Sequence, residues 1–321
     1  MHDPNVSPVF RKVAVMGAGA VGSFYGAMLA RAGHAVTLIG RPAHVQAIQR
    51  DGLQLEMGSQ RHTVRLDASS EAASVAGADL VLCCVKSGDT EDSARQMAPH
   101  LGANTLVMSL QNGVGNAETL ARLLPCRVIP AVVYVAVALG GPGRVCHYGR
   151  GDLAIGAMPG GTQSSVPEWP TLQALVDFFA SAHVPVRIVP DVAVELWAKL
   201  LVNCAYNAIS GLAQMPYARL AAQSDIRALQ QDIVREVIAV AAASGVTLSL
   251  DASLEAVSRI AVGMPQQLSS TAQDMARHKP SEIDHLNGFI ARRGGELGVP
   301  APVNQTLHAL VKLVESGYEA R

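Results

Sequence analysis

Charge is scarce in this 321-residue chain: 16% of residues are charged, and no long run of one sign occurs. With a formal net charge of -1, the electrostatic footprint of a nucleic-acid binder is missing. Cysteine is also rare and odd in number (Cys83, Cys84, Cys126, Cys146 and Cys204), with no C-x-x-C spacing. That argues against a disulfide framework or a zinc site and for a reduced chain. The histidines form no H-E-x-x-H or other ligand spacing, so no metal is expected, and no G-x-S-x-G elbow marks a serine hydrolase. The opening "MHDPNVSPVFRK" has no signal-peptide core. The longest apolar stretch, 128–139, contains Pro130 and is too short to span a bilayer. A cytoplasmic protein without nucleic-acid or membrane partners is expected.

What is present is apolar: 49% of residues are hydrophobic, enough at this length for two domains with their own cores. Strand patterns at 12–17, 34–40, 78–86, 104–113 and 126–139, with a helix from Ala20 to about Ala32, imply a parallel sheet covered on both faces. Residues 143–156 resemble a hairpin of two strands, and 184–189 one more strand. After Pro190 the texture becomes helical, at 192–213, 222–244, 251–262, 266–277, 282–297 and 304–316. The expected fold is an α/β Rossmann-like doubly wound sheet over 1–190, followed by an all-α domain over 191–321, with a ligand cleft between them.

The most informative local pattern is "VMGAGAVGSFYG", with Gly17, Gly19 and Gly22 in G-x-G-x-x-G spacing directly after a strand and opening a helix. That context reads as a dinucleotide loop formed by Gly17, Ala18, Gly19, Ala20, Val21 and Gly22. Glycine serves there for a tight turn, for backbone approach to a pyrophosphate and for close packing of helix on strand. The second strand ends "TLIGRPAH", without the acid that would hold a ribose 2′-hydroxyl and with Arg41 in its place. A guanidinium pairs with a 2′-phosphate that a carboxylate would repel, so the expected cofactor is NADP(H). Lys86 and Asn112 fall at the carboxyl ends of later strands, where a doubly wound sheet presents its ligand.

In the helical part, "ELWAKLLVNCAYNAIS" places Lys199, Asn203 and Asn207 four residues apart, on one side of a helix. Apolar residues cover most of the remaining circumference. Asparagine seldom recurs mid-helix without a partner, so the stripe is either a wet edge or the wall of a site. Ser281 and Asp284 have the spacing of a capping box for a helix on which Glu282 shares a side with Leu286, Phe289 and Ile290. Ser269 and Ser270 read either as a helix start or as binders of an anionic substrate.

Taken in order, "GAGAVGSFYG", "SLQNGVGN", "GPGRVCHYGRGDLAIG", "ELWAKLLVNCAYN" and "SSTAQDMARHKPSEIDHLNGFI" resemble the ketopantoate reductases over nearly the whole chain. The resemblance implies NADPH-dependent reduction of 2-dehydropantoate to (R)-pantoate, in the pantothenate and coenzyme A pathway. It implies Lys199 as catalytic lysine and Glu282 as essential glutamate. It further implies Asn112, Asn203, Asn207 and Ser270 as substrate contacts and Arg41 as the 2′-phosphate arginine. Hydride would add to the carbonyl carbon while Lys199, its pKa depressed by an apolar helix, protonates the oxygen. Tyr134, Val135 and Ala136 depart from the smaller or more polar residues of many members. That departure leaves open a paralogue reducing another branched 2-oxo acid. A β-hydroxyacid dehydrogenase and a non-catalytic NADPH-sensing protein are the other readings, and a homodimer is left open.

Overall fold

The structure, a computed structural model, describes residues 10–157 and 169–318. The chain divides into two compact units, Met1–Val192 and Ala193–Arg321.

The first unit opens with β1 (Lys12–Met16), α1 (Ala20–Arg31) and β2 (Ala35–Ile39). Next come α2 (Pro42–Asp51), β3 (Leu53–Met57), β4 (Gln60–Val64) and β5 (Asp67–Ser69). Then follow β6 (Leu80–Cys83), α3 (Thr90–Met97), β7 (Leu106–Ser109) and α4 (Asn116–Leu123). The unit ends with β8 (Arg127–Gly141), β9 (Arg144–Ile155), α5 (Trp169–Ser181) and β10 (Val186–Ile188). These strands form one sheet in the order β4-β3-β9-β8-β7-β6-β1-β2-β5, with β10 on β9.

From β5 to β8 every pairing is parallel. Alternation along β1 shows how the sheet buries both faces. Val13 and Val15 join a core with Phe24 and Leu29 of α1 and Leu175 and Phe179 of α5. Ala14 and Met16 join another with Ala94 and Met97 of α3 and Leu120 of α4. This is the doubly wound arrangement expected.

Two local expectations change. Residues 143–156 are not a hairpin but the single strand β9, antiparallel to β8, with register shifts at Tyr134/Val135 and Ala136/Val137. Gly149, Arg150 and Gly151 all have positive φ, so the residues that resemble a turn in sequence make a bulge. The β3–β4 hairpin goes unread in the sequence because Gln54, Glu56, Gln60, Arg61 and His62 dilute its apolar alternation.

The second unit consists of α6 (Val192–Ala213), α7 (Tyr217–Ala221), α8 (Ser224–Ala243), α9 (Leu250–Gly263), α10 (Ser270–Ala276), α11 (Asn287–Leu297) and α12 (Pro302–Ser316). It has no strand among the described residues. Helix α6 is its axis: Leu200, Leu201, Cys204, Ala205 and Ala208 are each 0–1% exposed. Gln230 of α8 donates to the Ala205 carbonyl at 3.2 Å, and Tyr206 donates to Val257 of α9 at 2.9 Å. By length and hydropathy alone α6 could cross a membrane, yet 67% of its most apolar window is buried within the protein.

The expected helix over 282–297 begins only at Asn287, after a 3-10 turn at Ile283–His285. Ser281 and Asp284 make no capping box. Both side chains have partners on α12 instead. The expected helix over 266–277 likewise starts at Ser270, with Ser269 as its cap, accepting from Ala272 N–H at 3.0 Å.

Candidate active site

The glycine loop follows β1 without a break. Gly17 has φ +100°, and a Cβ there would lie 2.6 Å from the Val85 nitrogen, so only glycine fits. A Cβ on Gly22 would stand 2.2 Å from the Gly17 carbonyl oxygen, which is how closely α1 packs on the loop. Gly19 is different: nothing lies within 4 Å of where its Cβ would be. It caps α1, whose first turn carries no acidic residue. Open space facing the amides of a helix start suits a pyrophosphate, so the loop fits a dinucleotide.

The loop is braced from β2. Gly17 and Ala18 N–H donate to the Ile39 carbonyl at 3.0 and 2.8 Å. A Cβ on Gly40 would lie 2.7 Å from that of Ala18, which keeps the end of β2 close to the loop. Arg41 comes next, exposed, at the N-cap of α2.

Behind them lies a buried chain that sequence reading misses. Gly143 N–H donates to His44 Nδ1 at 3.0 Å, which leaves the proton of the neutral ring on Nε2, 3.1 Å from Ser23 Oγ. Ser23 Oγ in turn donates to the Ala18 carbonyl at 3.3 Å. Burial pushes the His44 pKa down, which favours that neutral form.

Lys86 is exposed at the cap of the turn after β6. Asn112, half-buried in the loop after β7, accepts through its carbonyl from Ser87 Oγ at 2.9 Å and from Asn116 Nδ2 at 2.7 Å. Gln111 Nε2 donates to Thr90 Oγ1 at 2.8 Å, so the two loops are fastened side by side. Ser87, Gln111 and Asn116 go unnoticed in sequence because the bonds that join the two loops run between residues more than 20 apart.

In the helical unit, Lys199 and Asn203 are half-buried and Asn207 is 4% exposed, all on α6. The Asn203 amide makes no hydrogen bond among the described residues. Asn207 Nδ2 donates to Ser270 Oγ at 3.4 Å, which brings together two residues 63 apart in sequence. The approach is fixed from behind. Ser269 donates to the Asn207 carbonyl at 3.2 Å, and a Cβ on Gly211 would lie 2.7 Å from Met275 Sδ.

Glu282 is half-buried at the start of the 3-10 turn. Burial lowers the pKa of the neighbouring His285, and the Glu282 carboxylate opposes that shift. Asn287, fully buried, donates to the Cys204 carbonyl of α6 at 3.2 Å and to Asn304 Oδ1 at 2.9 Å. Trp197 meets Phe289 edge-on at 5.7 Å, so α11 and α6 are held by stacking as well as by hydrogen bonds.

A Rossmann-type sheet with a dinucleotide loop, followed by a helical unit with a lysine–asparagine stripe, defines an oxidoreductase. Residues 13–160 match the family described as Ketopantoate reductase PanE/ApbA, and residues 191–315 match Ketopantoate reductase PanE/ApbA C terminal. The chain belongs to the ketopantoate reductase family. It is 32% identical to the 2-dehydropantoate 2-reductase of Pyrococcus horikoshii, over 95% of this chain and 98% of that protein. The PanE/ApbA family ketopantoate reductase from Ralstonia eutropha JMP134 is 53% identical and superposes with a TM-score of 0.89, over 96% of this chain and 100% of that one. D-mandelate dehydrogenase, solved with NADH and anilino(oxo)acetate, is 25% identical with a TM-score of 0.88, over the same 96% and 100%.

Proposed function

We propose that the protein reduces 2-dehydropantoate to (R)-pantoate with NADPH, in the cytoplasm, on the route to pantothenate and coenzyme A. The observation that carries this reading is the α6 stripe, in which Lys199, Asn203 and Asn207 line up and Asn207 meets Ser270. NADPH supplies the hydride when bound. Gly17 to Gly22 receive its pyrophosphate on the α1 amides, and Arg41 pairs with the 2′-phosphate. Lys86 and Asn112 face the ligand from the neighbouring loops.

Lys199 gives its proton to the ketone oxygen as negative charge develops there. Asn203 and Asn207 hold the substrate through neutral amides that do not compete for that proton, and Ser270 binds its carboxylate. Glu282 accepts from the substrate hydroxyl and orients Lys199. Replacing Lys199 with alanine lowers kcat by a factor on the order of 10²–10⁴ and leaves NADPH affinity unchanged. Stopped-flow turnover beside a fluorescence titration measures both, and wild-type turnover would remove Lys199 from the mechanism.

A second substrate is favoured by one feature of β8. The Arg150 guanidinium of β9 stands 4.4 Å from the centre of the Tyr134 ring of β8, and Tyr134 lies in the stretch where the sequence resemblance is weakest. The likeness to D-mandelate dehydrogenase points the same way, towards a bulkier 2-oxo acid. NADPH oxidation with ketopantoate beside a panel of branched and aromatic 2-oxo acids separates the two substrates. Carbon dioxide release when a 3-hydroxy acid is oxidised with NADP+ would indicate a β-hydroxyacid dehydrogenase, and cofactor binding without turnover on any 2-oxo acid a sensing protein.

A further inference from the structure

We propose that the C-terminal helix α12 positions Glu282, through a two-point clamp in which Ser281–Glu315 and Asp284–His308/Lys312 hold the turn that carries it. The proposal rests on the assignment of Glu282 to the active site made above. Between α10 and α11 the chain has no α-helical ladder, and its own backbone bonds there are few. His285 N–H donates to the Glu282 carbonyl at 2.9 Å and Leu286 N–H to Ile283 at 3.2 Å.

The anchoring comes from α12. On one side of Glu282, Ser281 donates through both its backbone N–H and its hydroxyl to Glu315 Oε1, at 2.8 and 2.6 Å. The Glu315 side chain is only 6% exposed, so these bonds are sheltered from water. On the other side, Asp284 accepts from His308 Nε2 at 2.6 Å and from Lys312 Nζ at 2.9 Å. Ser281 and Asp284 thus bracket Glu282 in sequence, and both bond to α12. Gly288 completes the fit, because a Cβ there would lie 2.7 Å from His308.

Helix α12 is itself fixed. Glu236 of α8 takes the N–H groups of Val303 and Asn304 at 2.8 and 3.0 Å, and the Asn304 amide at 2.8 Å. Asn304 then accepts from Asn287, which is bonded to α6. The helix bearing Lys199 and the turn bearing Glu282 are therefore referred to one frame inside the same unit. Glu315, Ser281 and Asp284 act as positioning residues; none needs to touch substrate.

The test is a mutant cycle on the full-length enzyme, read by steady-state and single-turnover rates, with NADPH affinity and melting temperature measured in parallel. Glu315→Ala is expected to lower kcat by a factor on the order of 10–100 with NADPH affinity unchanged. Glu315→Gln, which keeps an acceptor for Ser281, is expected to restore most of the rate. In a Glu282→Gln background, Glu315→Ala is expected to change the rate by less than about twofold, because its effect runs through Glu282. Ser281→Ala and Asp284→Asn, each removing part of the clamp, provide the same comparison if Glu315→Ala fails to fold.

A full independent loss in the Glu282→Gln background overturns the clamp, as does wild-type kcat in the clamp variants while Glu282→Gln is crippled. Wild-type turnover in Glu282→Gln overturns the assignment of Glu282 itself, and the clamp with it.

Discussion

Replacing Gly17 with alanine forces a side chain into a left-handed backbone and against the Val85 nitrogen. The expected cost is roughly 1–3 kcal/mol in stability with loss of cofactor binding, measured by denaturant titration and fluorescence. Normal affinity in that variant would contradict the loop geometry. Arg41→Asp should raise the Kd for NADPH by about tenfold or more relative to that for NADH, the scale of one lost charge-assisted pair. Equal weakening of the two nucleotides would refute the 2′-phosphate role.

Residues of this kind are legible in sequence because each reports a local constraint. Glycine spacing encodes backbone conformation, and a period of four encodes a helix face. Asn287 and His44 are not legible in that way. Their partners, Cys204, Asn304, Gly143 and Ser23, are 17 to 99 residues distant, and nothing in the local pattern separates such a side chain from an ordinary polar one.

At the scale of elements, apolar runs and periodicity carried the central parallel strands and the long helices of the second unit, missed β3, β4 and β5, and misled at the ends of elements. Ser281 and Asp284 have the spacing of a capping box, yet α12 offers both side chains stronger acceptors and donors than a helix start would. Gly149 and Gly151 punctuate β9 as a turn would, but a long partner strand converts the interruption into a bulge. The β3–β9 pairing is pinned by charge. The Arg144 guanidinium, joined by the Cys146 thiol, holds Glu56 down to about 2 from its ordinary 4.5. Because the folded value is depressed, this contribution to stability is present above pH 4.5 and is lost as the pH falls toward 2. The difference in melting temperature between wild type and Glu56→Gln should therefore shrink over that acid range. A difference independent of pH there would show that Glu56 does not stabilise through its charge.

For the molecule as a whole, two units with separate cores imply that a ligand held by the Rossmann unit alone stabilises it by mass action. At a hundredfold excess over its Kd, NADPH should add about 2.7 kcal/mol. For a unit of this size that corresponds to a melting shift of roughly 5–10 °C. NADH at the same concentration should give a smaller shift, and equal shifts would count against the NADP assignment. The stripe on α6 has a consequence for descent as well. Lys199, Asn203 and Asn207 ride on one rigid rod, so the loss of one residue upstream would swing all three by about 100° together. Under the proposed mechanism, such a lesion should abolish turnover instead of retuning it. A change of substrate therefore has to come from the side chains around the rod, because any shift of the rod moves all three polar groups at once.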